Sequence, residues 1–424
     1  MRKSFLRIRF SQVFVLNCFI LILNSHLPPC NHSESKIDNG RILRFDINVN
    51  DLGIEGISNS GARVKFLALG SAACRVLNAF FVKQSYMSDL CLAVDTDLRC
   101  LESLDAGLPK YCFGKNLFRG LSSGGDEALI KDAFGKSDSV LQEFSQKSDV
   151  LIILAGLGGG SGSGMLPAMT QIAVQTGAFV IVIPIMPFSF EGKNKGIRAQ
   201  TQLKSLQTVA DLVIPFNNDF LFQTLPSSAT IKEAFAEGDR VISGLIQAFF
   251  LSLTSVESGA FVCNLSDFIQ HFSEKPDAIA WGIGEGSGKT ALEDALKKAL
   301  DCPTLKSQLD SAPSQKAFIY SYLTPDIPLT ALKNLNYEVQ RFLGIPELQI
   351  LNNCHTSAEG QQQARIFILI ASSQKNLKHA RYRSKKSKEN TNENVQIQFD
   401  FAAQGSDSYW DTPTYLRLGL KLEA

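Results

Sequence analysis

Apolar and polar residues along this chain follow a pattern that predicts strands alternating with helices. Three short apolar runs, at residues 64–70, 90–94 and 150–154, are bounded by glycine or polar residues, as buried strands of a parallel sheet are. Helical spacing follows at residues 165–175, and residues 231–253 are apolar nearly all round, which is typical of a buried helix. The pattern therefore predicts an α/β fold with a parallel sheet and a long central helix.

The second half of the chain repeats this alternation on a smaller scale. Apolar runs at residues 318–323 and 365–371 predict strands, and residues 329–342 between them have helical spacing. A glycine-rich stretch at residues 280–290 is similar to a Walker phosphate loop, but Ile283 stands where that loop needs its first glycine. We therefore expect a smaller mixed α/β domain without a Walker loop.

Composition and charge exclude several classes of protein. The chain has 424 residues, enough for two domain-sized cores, and its net charge of +1 argues against a nucleic-acid partner. Its nine cysteines contain no C-x-x-C pair, and its five histidines show no ligand spacing. We therefore predict free thiols in a reducing compartment and no metal held by protein ligands.

Candidate chemistry is concentrated in the loop after the third apolar run. Six glycines and two serines stand within residues 156–164. Glycine admits positive φ and lets backbone N–H groups approach an anion closely. The loop leads into the helix predicted at residues 165–175, whose N-terminal N–H groups and dipole favour phosphate. This stretch therefore predicts a phosphate cradle.

Other strand ends carry small or acidic residues, which face the ligand crevice of an open α/β sheet. Asp95 and Asp97 follow the second predicted strand, although an Asx turn capping the next segment is the alternative for them. A glycine–serine loop at residues 119–126 leads into a helix at residues 127–134. Gly70 ends the first strand without the further glycines of a dinucleotide fingerprint, which disfavours a dinucleotide oxidoreductase. Three such loops predict one phosphate-rich ligand.

Four motifs stand in a fixed order along these loops. They are Ala-Val-Asp-Thr-Asp ending at Asp97, Arg-Gly-Leu-Ser-Ser-Gly-Gly-Asp ending at Asp126, Ala-Gly-Leu-Gly-Gly-Gly-Ser-Gly-Ser-Gly ending at Gly164, and Pro-Phe-Ser-Phe-Glu-Gly-Lys ending at Lys193. Together they closely resemble bacterial FtsZ, the tubulin-like GTPase of cell division, over residues 64–371 and again over 409–417. The resemblance implies a parallel-sheet GTP-binding domain joined by a long central helix to a smaller mixed α/β domain, in which residues 280–290 form a strand and turn before a helix at 291–300.

The resemblance also implies a site for GTP, with Mg²⁺ bound through the nucleotide and water. The residues that match the family's nucleotide contacts are Gly70, Ser71, Ala72, Arg75, Asp95, Asp97, Gly124, Gly125, Gly158, Gly159, Gly160, Ser161, Gly162, Glu191, Lys195, Asn218, Phe235 and Asp239. Glu191 matches the acid that holds the ribose. Phe235 matches the aromatic residue that stacks on guanine, and Asp239 matches the residue that reads the N1 and N2 donors of the base. Arg75 departs from the family pattern, which has asparagine there, and brings a new charge near the nucleotide.

Candidate catalytic residues lie in a loop that, by the same resemblance, enters the nucleotide pocket of the next subunit. Asp267 keeps the position that orients the attacking water, and Asn264 stands where the family has a carboxylate. Val262 replaces a polar residue of the same motif. Phosphoryl transfer depends mostly on positioning and charge balance, so these two exchanges predict slow hydrolysis.

The domain organisation that we predict has six parts. They are an extension at residues 1–36, a GTP-binding domain at 37–230, the central helix at 231–255, an activation domain at 256–371, a polar linker at 372–408 and a partner-binding peptide at 409–424. The basic linker is interpreted either as a solvated tether or as a contact with anionic lipid. The last part resembles the family's tail peptide for membrane-tethering proteins, a match carried by Asp411, Pro413, Tyr415, Leu416 and Arg417.

The extension at residues 1–36 has the shape of a secretory signal, because basic residues precede a mostly apolar run at 13–23. That run is too short to span a bilayer as a helix. Three interpretations stay open: a true signal, an anchor lying in the membrane interface, or sequence translated from a start set too far upstream. A nucleotide-dependent protein must face a compartment that holds the nucleotide, which argues against export.

The leading hypothesis is a GTP-hydrolysing protein that polymerises head to tail into filaments of the cell-division ring. It implies a cytoplasmic homopolymer at the inner face of the membrane, tethered there indirectly or through the N-terminal extension. Head-to-tail contacts that do not close generate filaments. The alternative hypothesis is a hydrolysis-impaired FtsZ-like scaffold that binds GTP and membrane-tethering partners.

Overall fold

A computed structural model of the chain describes residues 62–123, 126–134, 139–254, 263–309, 314–324, 327, 329–345, 348–356 and 363–372. The strands in these ranges are β1 (Val64–Leu69), β2 (Cys91–Asp95), β3 (Lys110–Cys112), β4 (Val150–Gly156), β5 (Phe179–Met186), β6 (Leu212–Val213), β7 (Phe216–Asn217), β8 (Ala278–Ser287), β9 (Ser314–Leu323), β10 (Gln349–Thr356) and β11 (Gln363–Ser372).

The α-helices of the described ranges alternate with these strands. They are α1 (Ser71–Phe81), α2 (Leu98–Glu102), α3 (Lys115–Phe118), α4 (Glu127–Phe134), α5 (Ser139–Gln146), α6 (Ser161–Gln175), α7 (Lys193–Val209), α8 (Leu221–Thr224), α9 (Ile231–Thr254), α10 (Leu265–His271), α11 (Ala291–Leu300), α12 (Pro303–Leu309) and α13 (Leu329–Leu343). Short 3-10 helices are present at Ser85–Leu90, Ser189–Glu191 and Asn218–Phe220.

The first seven strands form a parallel sheet in the order β3-β2-β1-β4-β5-β6, with β7 paired to β5. β1 and β4 are neighbours, and their register runs from Val64 beside Val150 to Leu69 beside Ala155. The chain proceeds outward from β1 on one side and from β4 on the other. This reversal opens a crevice between the two connections at the carboxyl ends of the strands. The predicted parallel sheet is confirmed.

Alternate residues of the central strands face opposite layers, as the two-residue period of a strand requires. Phe66 and Ile152 are fully buried against the layer that contains α9. Leu67 and Ile153 are fully buried against the layer that contains α6. Helices therefore cover the sheet on both faces, which explains why its strands are apolar runs rather than alternating ones.

Helix α9 connects the parallel sheet to a second sheet. The ring of Phe249 lies 6.3 Å from the ring of Phe268 in α10 and 5.1 Å from the ring of Phe367 in β11. Near the end of α9, the side-chain nitrogen of Asn353 donates a hydrogen bond of 2.7 Å to the carbonyl oxygen of Ser252. Within the described ranges, none of the helices combines the length and the apolar character needed to cross a membrane.

The second sheet has the order β10-β9-β11-β8 and is mixed, because β9 and β10 are parallel whereas β11 is antiparallel to both of its neighbours. Helix α11 packs directly on β8, where alternate residues are glycine. A Cβ at Gly284 would lie 1.8 Å from the carbonyl oxygen of Ala295, and Gly282 and Gly286 approach the same helix as closely. The glycine-rich stretch at residues 280–290 therefore serves strand–helix packing, in the strand and turn before a helix that the resemblance implied.

Several predicted segments lie outside the described residues. They are the extension at residues 1–36, the predicted linker from residue 373 onward and the peptide at 409–424, so their proposed roles stay predictions, whereas Ser372, the first residue of the predicted linker, ends β11. Gly124, Gly125 and Val262 also lie outside the described residues.

Candidate nucleotide-binding site

A cavity of about 420 Å³ opens at the carboxyl ends of β1, β2, β4 and β5. Ligand pockets commonly measure roughly 300–1,000 Å³, so a mononucleotide fits its size. The predicted nucleotide contacts that line it are Gly70, Ser71, Ala72, Arg75, Asp95, Asp97, Gly158, Gly159, Gly160, Ser161, Gly162, Glu191, Lys195, Asn218 and Phe235. Ser122 lines the same space, so residues from all four motifs meet around it.

Sequence reasoning missed some of the lining. Six lining residues were not among the predicted nucleotide contacts, but Gly156 and Leu157 lie in the predicted phosphate cradle and Ser122 in the predicted ligand loop at 119–126, so the residues missed are Leu69, Ile185 and Pro187. Ile185 and Pro187 lie at the end of β5, which is the next strand along the crevice from β4. Because the ends of parallel strands face the ligand, their position at the end of this strand could have identified these two residues.

The loops after β1 and β4 approach each other backbone to backbone. Gly70 has a φ of +83°, and a Cβ there would lie 2.8 Å from the backbone nitrogen of Gly162. A Cβ at Gly162 would lie 2.7 Å from the carbonyl oxygen of Gly156 and 2.8 Å from that of Leu69. Only glycine permits this approach, which brings backbone N–H groups to the cavity as a phosphate cradle needs.

Helix α6 begins at Ser161, earlier than the predicted start at Met165. Glycine and serine carry no apolar periodicity, so the pattern concealed the first turn of the helix. Gly160, Ser161 and Gly162 line the cavity, and the unpaired N–H groups and the dipole of a helix N-terminus are therefore at the ligand space. The loop is further fixed by Ser163, whose hydroxyl accepts a hydrogen bond of 2.8 Å from the backbone N–H of Gly158.

Asp95 and Asp97, at the end of β2, line the cavity and also stabilise the local structure. Asp97 caps α2, because its carboxylate accepts a hydrogen bond of 3.0 Å from the backbone N–H of Arg99, so the capping alternative holds for this residue. Asp95 is only 2% exposed, and burial raises the pKa of its carboxyl group. The hydroxyls of Thr96 and Ser161 lie 2.8 Å apart and connect this strand end to the first turn of α6.

Glu191 and Lys195, at the opposite side of the cavity, form an ion pair. A second carboxylate oxygen of Glu191 accepts a hydrogen bond of 2.8 Å from the backbone N–H of Phe188. The stem of Lys195 packs against Gly158, so closely that a Cβ at that glycine would meet it. Asn218 is buried at the edge of the same space. This side therefore offers a held carboxylate and an amide to a sugar.

Asp239 does not line the main cavity. It lies in an adjoining cavity of about 20 Å³ that shares Arg75 and Phe235 with the first. The Arg75 Nε and a terminal guanidinium nitrogen lie 3.1 Å and 3.3 Å from the two carboxylate oxygens of Asp239. The guanidinium carbon lies 5.1 Å from the centroid of the Phe235 ring. The residue expected to read the base is therefore paired with another side chain of the protein.

Asn264 and Asp267 form a reciprocal cap at the start of α10. The Asn264 side chain accepts a hydrogen bond of 2.9 Å from the Asp267 N–H, and the Asp267 carboxylate accepts one of 3.2 Å from the Asn264 N–H. This is a capping box, which stabilises a helix N-terminus. Neither residue lines the cavity of its own chain, and their action on a neighbouring subunit stays a prediction.

The arrangement fits a nucleotide better than a metal centre. Across the described ranges, no group of three or more His, Cys, Asp and Glu side chains is placed to hold a metal ion. The glycine cradle and the N-terminus of α6 suit phosphates, whereas Phe235 brings an aromatic ring to the cavity, and the Asp239 carboxylate beside it is paired with Arg75. The cavity therefore has separate features for the phosphates and for the base of a nucleotide.

Comparisons with known proteins agree with this geometry. Residues 51–226 match the Tubulin/FtsZ family, GTPase domain. The chain is 27% identical to cell division protein FtsZ 1 of Pyrococcus abyssi over 310 residues, which is 73% of this chain and 80% of that protein.

Solved structures show the same fold. An FtsZ dimer from M. jannaschii aligns with a TM-score of 0.66 and 24% identity, covering 76% of this chain and 91% of that one. CetZ2 from Haloferax volcanii aligns with a TM-score of 0.59 and 19% identity, covering 77% and 99%. Together with the motifs around the cavity, these similarities show that residues 51–226 match the GTPase domain of the Tubulin/FtsZ family and that the described chain has the fold of the FtsZ and CetZ structures.

Proposed function

We propose that this chain binds and hydrolyses GTP and polymerises head to tail into filaments that take part in cell division. The observation that carries the proposal is one cavity at which separate loops meet. They bring to it a glycine cradle, the N-terminus of α6 and the acidic end of β2, where Asp97 caps α2. These features bind phosphates through backbone N–H groups and the helix dipole. Mg²⁺ would be held through the nucleotide and water.

Hydrolysis in this proposal needs a second subunit. Among the described residues that line the cavity, the acidic side chains are already held by burial, by capping or by the Lys195 ion pair. Asp267 of the next subunit would supply the water-orienting carboxylate. Such a head-to-tail contact leaves a free cavity at one end and a free Asp267 at the other, so the assembly extends as a filament.

Asp267→Asn tests this arrangement sharply. Asparagine keeps an oxygen that accepts the cap hydrogen bond from the Asn264 N–H but removes the charge, so helix α10 remains capped. We expect GTP binding and GTP-dependent sedimentation of filaments to persist, whereas phosphate release falls at least about 100-fold. Asp294→Asn is the matched control, since Asp294 also accepts a hydrogen bond from the residue preceding a helix, Thr290. Equal turnover in Asp267→Asn and the native chain would refute the proposed role.

A second candidate is a scaffold that binds GTP and polymerises but hydrolyses poorly. The observation that favours it is the engagement of Asn264 and Asp267 in each other's backbone hydrogen bonds. Asn264 also lacks the charge that the family places there. Filaments that form with GTP and release no phosphate would support the scaffold, and turnover that depends on Asp267 would support the enzyme.

The cellular role in this proposal is at the division site, on the cytoplasmic face of the membrane. It is supported by the similarity to a cell division protein FtsZ 1 and by the likeness of the fold to a CetZ2 structure described as a GTPγS-bound protofilament. Tethering would use the peptide at residues 409–424. Deleting that peptide is expected to leave filaments intact in vitro and to abolish their recruitment to the division site, which fluorescence microscopy of the tagged chain measures.

A further inference from the structure

Arg75 lies between an aromatic face and a carboxylate, at the boundary of the two cavities. It makes two hydrogen bonds with Asp239, and its guanidinium group lies over the ring of Phe235. Arg75 and Phe235 line both cavities, whereas Asp239 lines only the smaller one. Arg75 therefore connects Asp239, in the smaller cavity, with the lining of the main cavity.

Guanine offers a carboxylate the same donors as arginine. The N1–H and N2–H₂ groups of the base form a planar fork of parallel donors, as a guanidinium group does toward two carboxylate oxygens. Both planes also stack on aromatic rings. Adenine instead presents an acceptor at N1, which a carboxylate repels. The same carboxylate and ring can therefore hold guanine or the guanidinium group, but not both at once.

We propose that Arg75 is a specificity-determining residue that occupies the guanine subsite as an internal competitor and must leave Asp239 before the base can bind. The inference rests on the proposed function, because it takes the cavity to be a guanine-nucleotide site. A base without the donor fork gains nothing from displacing Arg75. The exchange therefore lowers the affinity for guanine nucleotides and narrows the preference of the site for them over nucleotides whose base does not displace Arg75.

The strength of this competition follows from the exposure of the pair. The Arg75 side chain is 45% exposed and that of Asp239 is 19% exposed, so the ion pair is partly screened by solvent. An ion pair and a cation–π contact of this kind each favour the closed position of Arg75 by about two- to fivefold. When Arg75 blocks the subsite, the apparent affinity for GTP is the intrinsic affinity multiplied by the fraction of molecules in which the subsite is open. We expect Arg75→Asn to tighten GTP binding roughly three- to tenfold.

The test measures dissociation constants of guanosine, GDP and GTP for the full chain and for Arg75→Asn, by competition with a fluorescent GTP analogue. All three ligands carry the base, so the variant is expected to bind each of them tighter by a similar factor. A loss of affinity that grows with the number of phosphates would place Arg75 on the phosphates and overturn the inference. ATP should gain less than GTP, because adenine lacks the donor fork.

Two further variants control for charge and for folding. Arg75→Lys keeps the charge but loses the planar fork, so it is also expected to tighten GTP binding. Arg63→Asn breaks a comparable bidentate pair with Asp149, at 3.1 Å and 3.2 Å, away from both cavities and should leave GTP affinity unchanged. Equal GTP affinity in Arg75→Asn and the native chain overturns this inference alone. Absence of GTP binding in both overturns the proposed function as well.

Discussion

Gly162→Ala tests whether the close approach of the loops after β1 and β4 builds the phosphate cradle. The added Cβ would lie 2.7 Å from the carbonyl oxygen of Gly156 and 2.8 Å from that of Leu69. Ordinary van der Waals contact begins at 3.4 Å. Both oxygens belong to the backbone at the ends of central strands, so neither can rotate away. The first turn of α6 must therefore move outward, away from β1 and β4.

The expected magnitude follows from these two contacts. Overpacking at a rigid site costs about 1–3 kcal/mol, so we expect the free energy of unfolding to fall by that amount. The displaced turn also carries N–H groups of the cradle. Loss of one hydrogen bond to a charged group costs about 1.5–3 kcal/mol, which corresponds to a loss of GTP affinity of roughly 10- to 100-fold.

Urea unfolding, followed by tryptophan fluorescence, measures the stability, and titration with a fluorescent GTP analogue measures the affinity. Gly196→Ala is the control, because Gly196 lies inside α7 and a Cβ there meets no heavy atom within 4 Å. Helix propensity predicts that this control gains up to about 1 kcal/mol. A Gly162→Ala chain with native stability and native GTP affinity would refute the reasoning.

Three further predictions concern catalysis, pH and the contact between α9 and the second sheet. Asn264→Asp is expected to raise phosphate release at least about tenfold by restoring a charge near the γ-phosphate, while α10 stays capped because Asp caps as well as Asn; an unchanged rate would contradict it. Burial lowers the pKa of His271, so stability is expected to fall between about pH 7.5 and about pH 5.5, where the unfolded chain takes up a proton that the folded histidine resists. The midpoint of urea unfolding should fall less over this pH range in His271→Gln than in the native chain. An equal fall in both proteins would contradict the role given to His271. Asn353→Ala leaves the Ser252 carbonyl oxygen without this donor and is expected to lower the free energy of unfolding by about 1–3 kcal/mol. The control is Asn352→Ala, at the half-buried neighbouring position, which should lower it less.

The sequence predicted the elements around the cavity because each has a local pattern. Apolar runs located β1, β2 and β4, and the helices at residues 127–134 and 291–300 have the predicted bounds. The start of α6 was misplaced because glycine and serine contribute no periodicity to its first turn. The capping box formed by Asn264 and Asp267 does have a sequence pattern, which is a capping residue followed three positions later by an acid. It was overlooked because both residues were interpreted as catalytic.

Contacts between distant residues lay beyond the reach of local patterns. Arg75 was expected to add a charge near the nucleotide, and Asp239 was expected to face a base. Nothing in either neighbourhood indicates that the two side chains, 164 positions apart, meet each other. Their meeting depends on the packing of α1 against α9, which is set by the apolar faces of both helices on one face of the parallel sheet.

The ion pair between Arg75 and Asp239 separates folding from ligand loading. A mostly buried carboxylate without a partner would favour unfolding, and proteins in which a ligand supplies that partner fold only when the ligand is at hand. Here the chain supplies its own partner for Asp239. The chain can therefore complete its core around Asp239 without a bound ligand, so folding at this position does not depend on ligand binding.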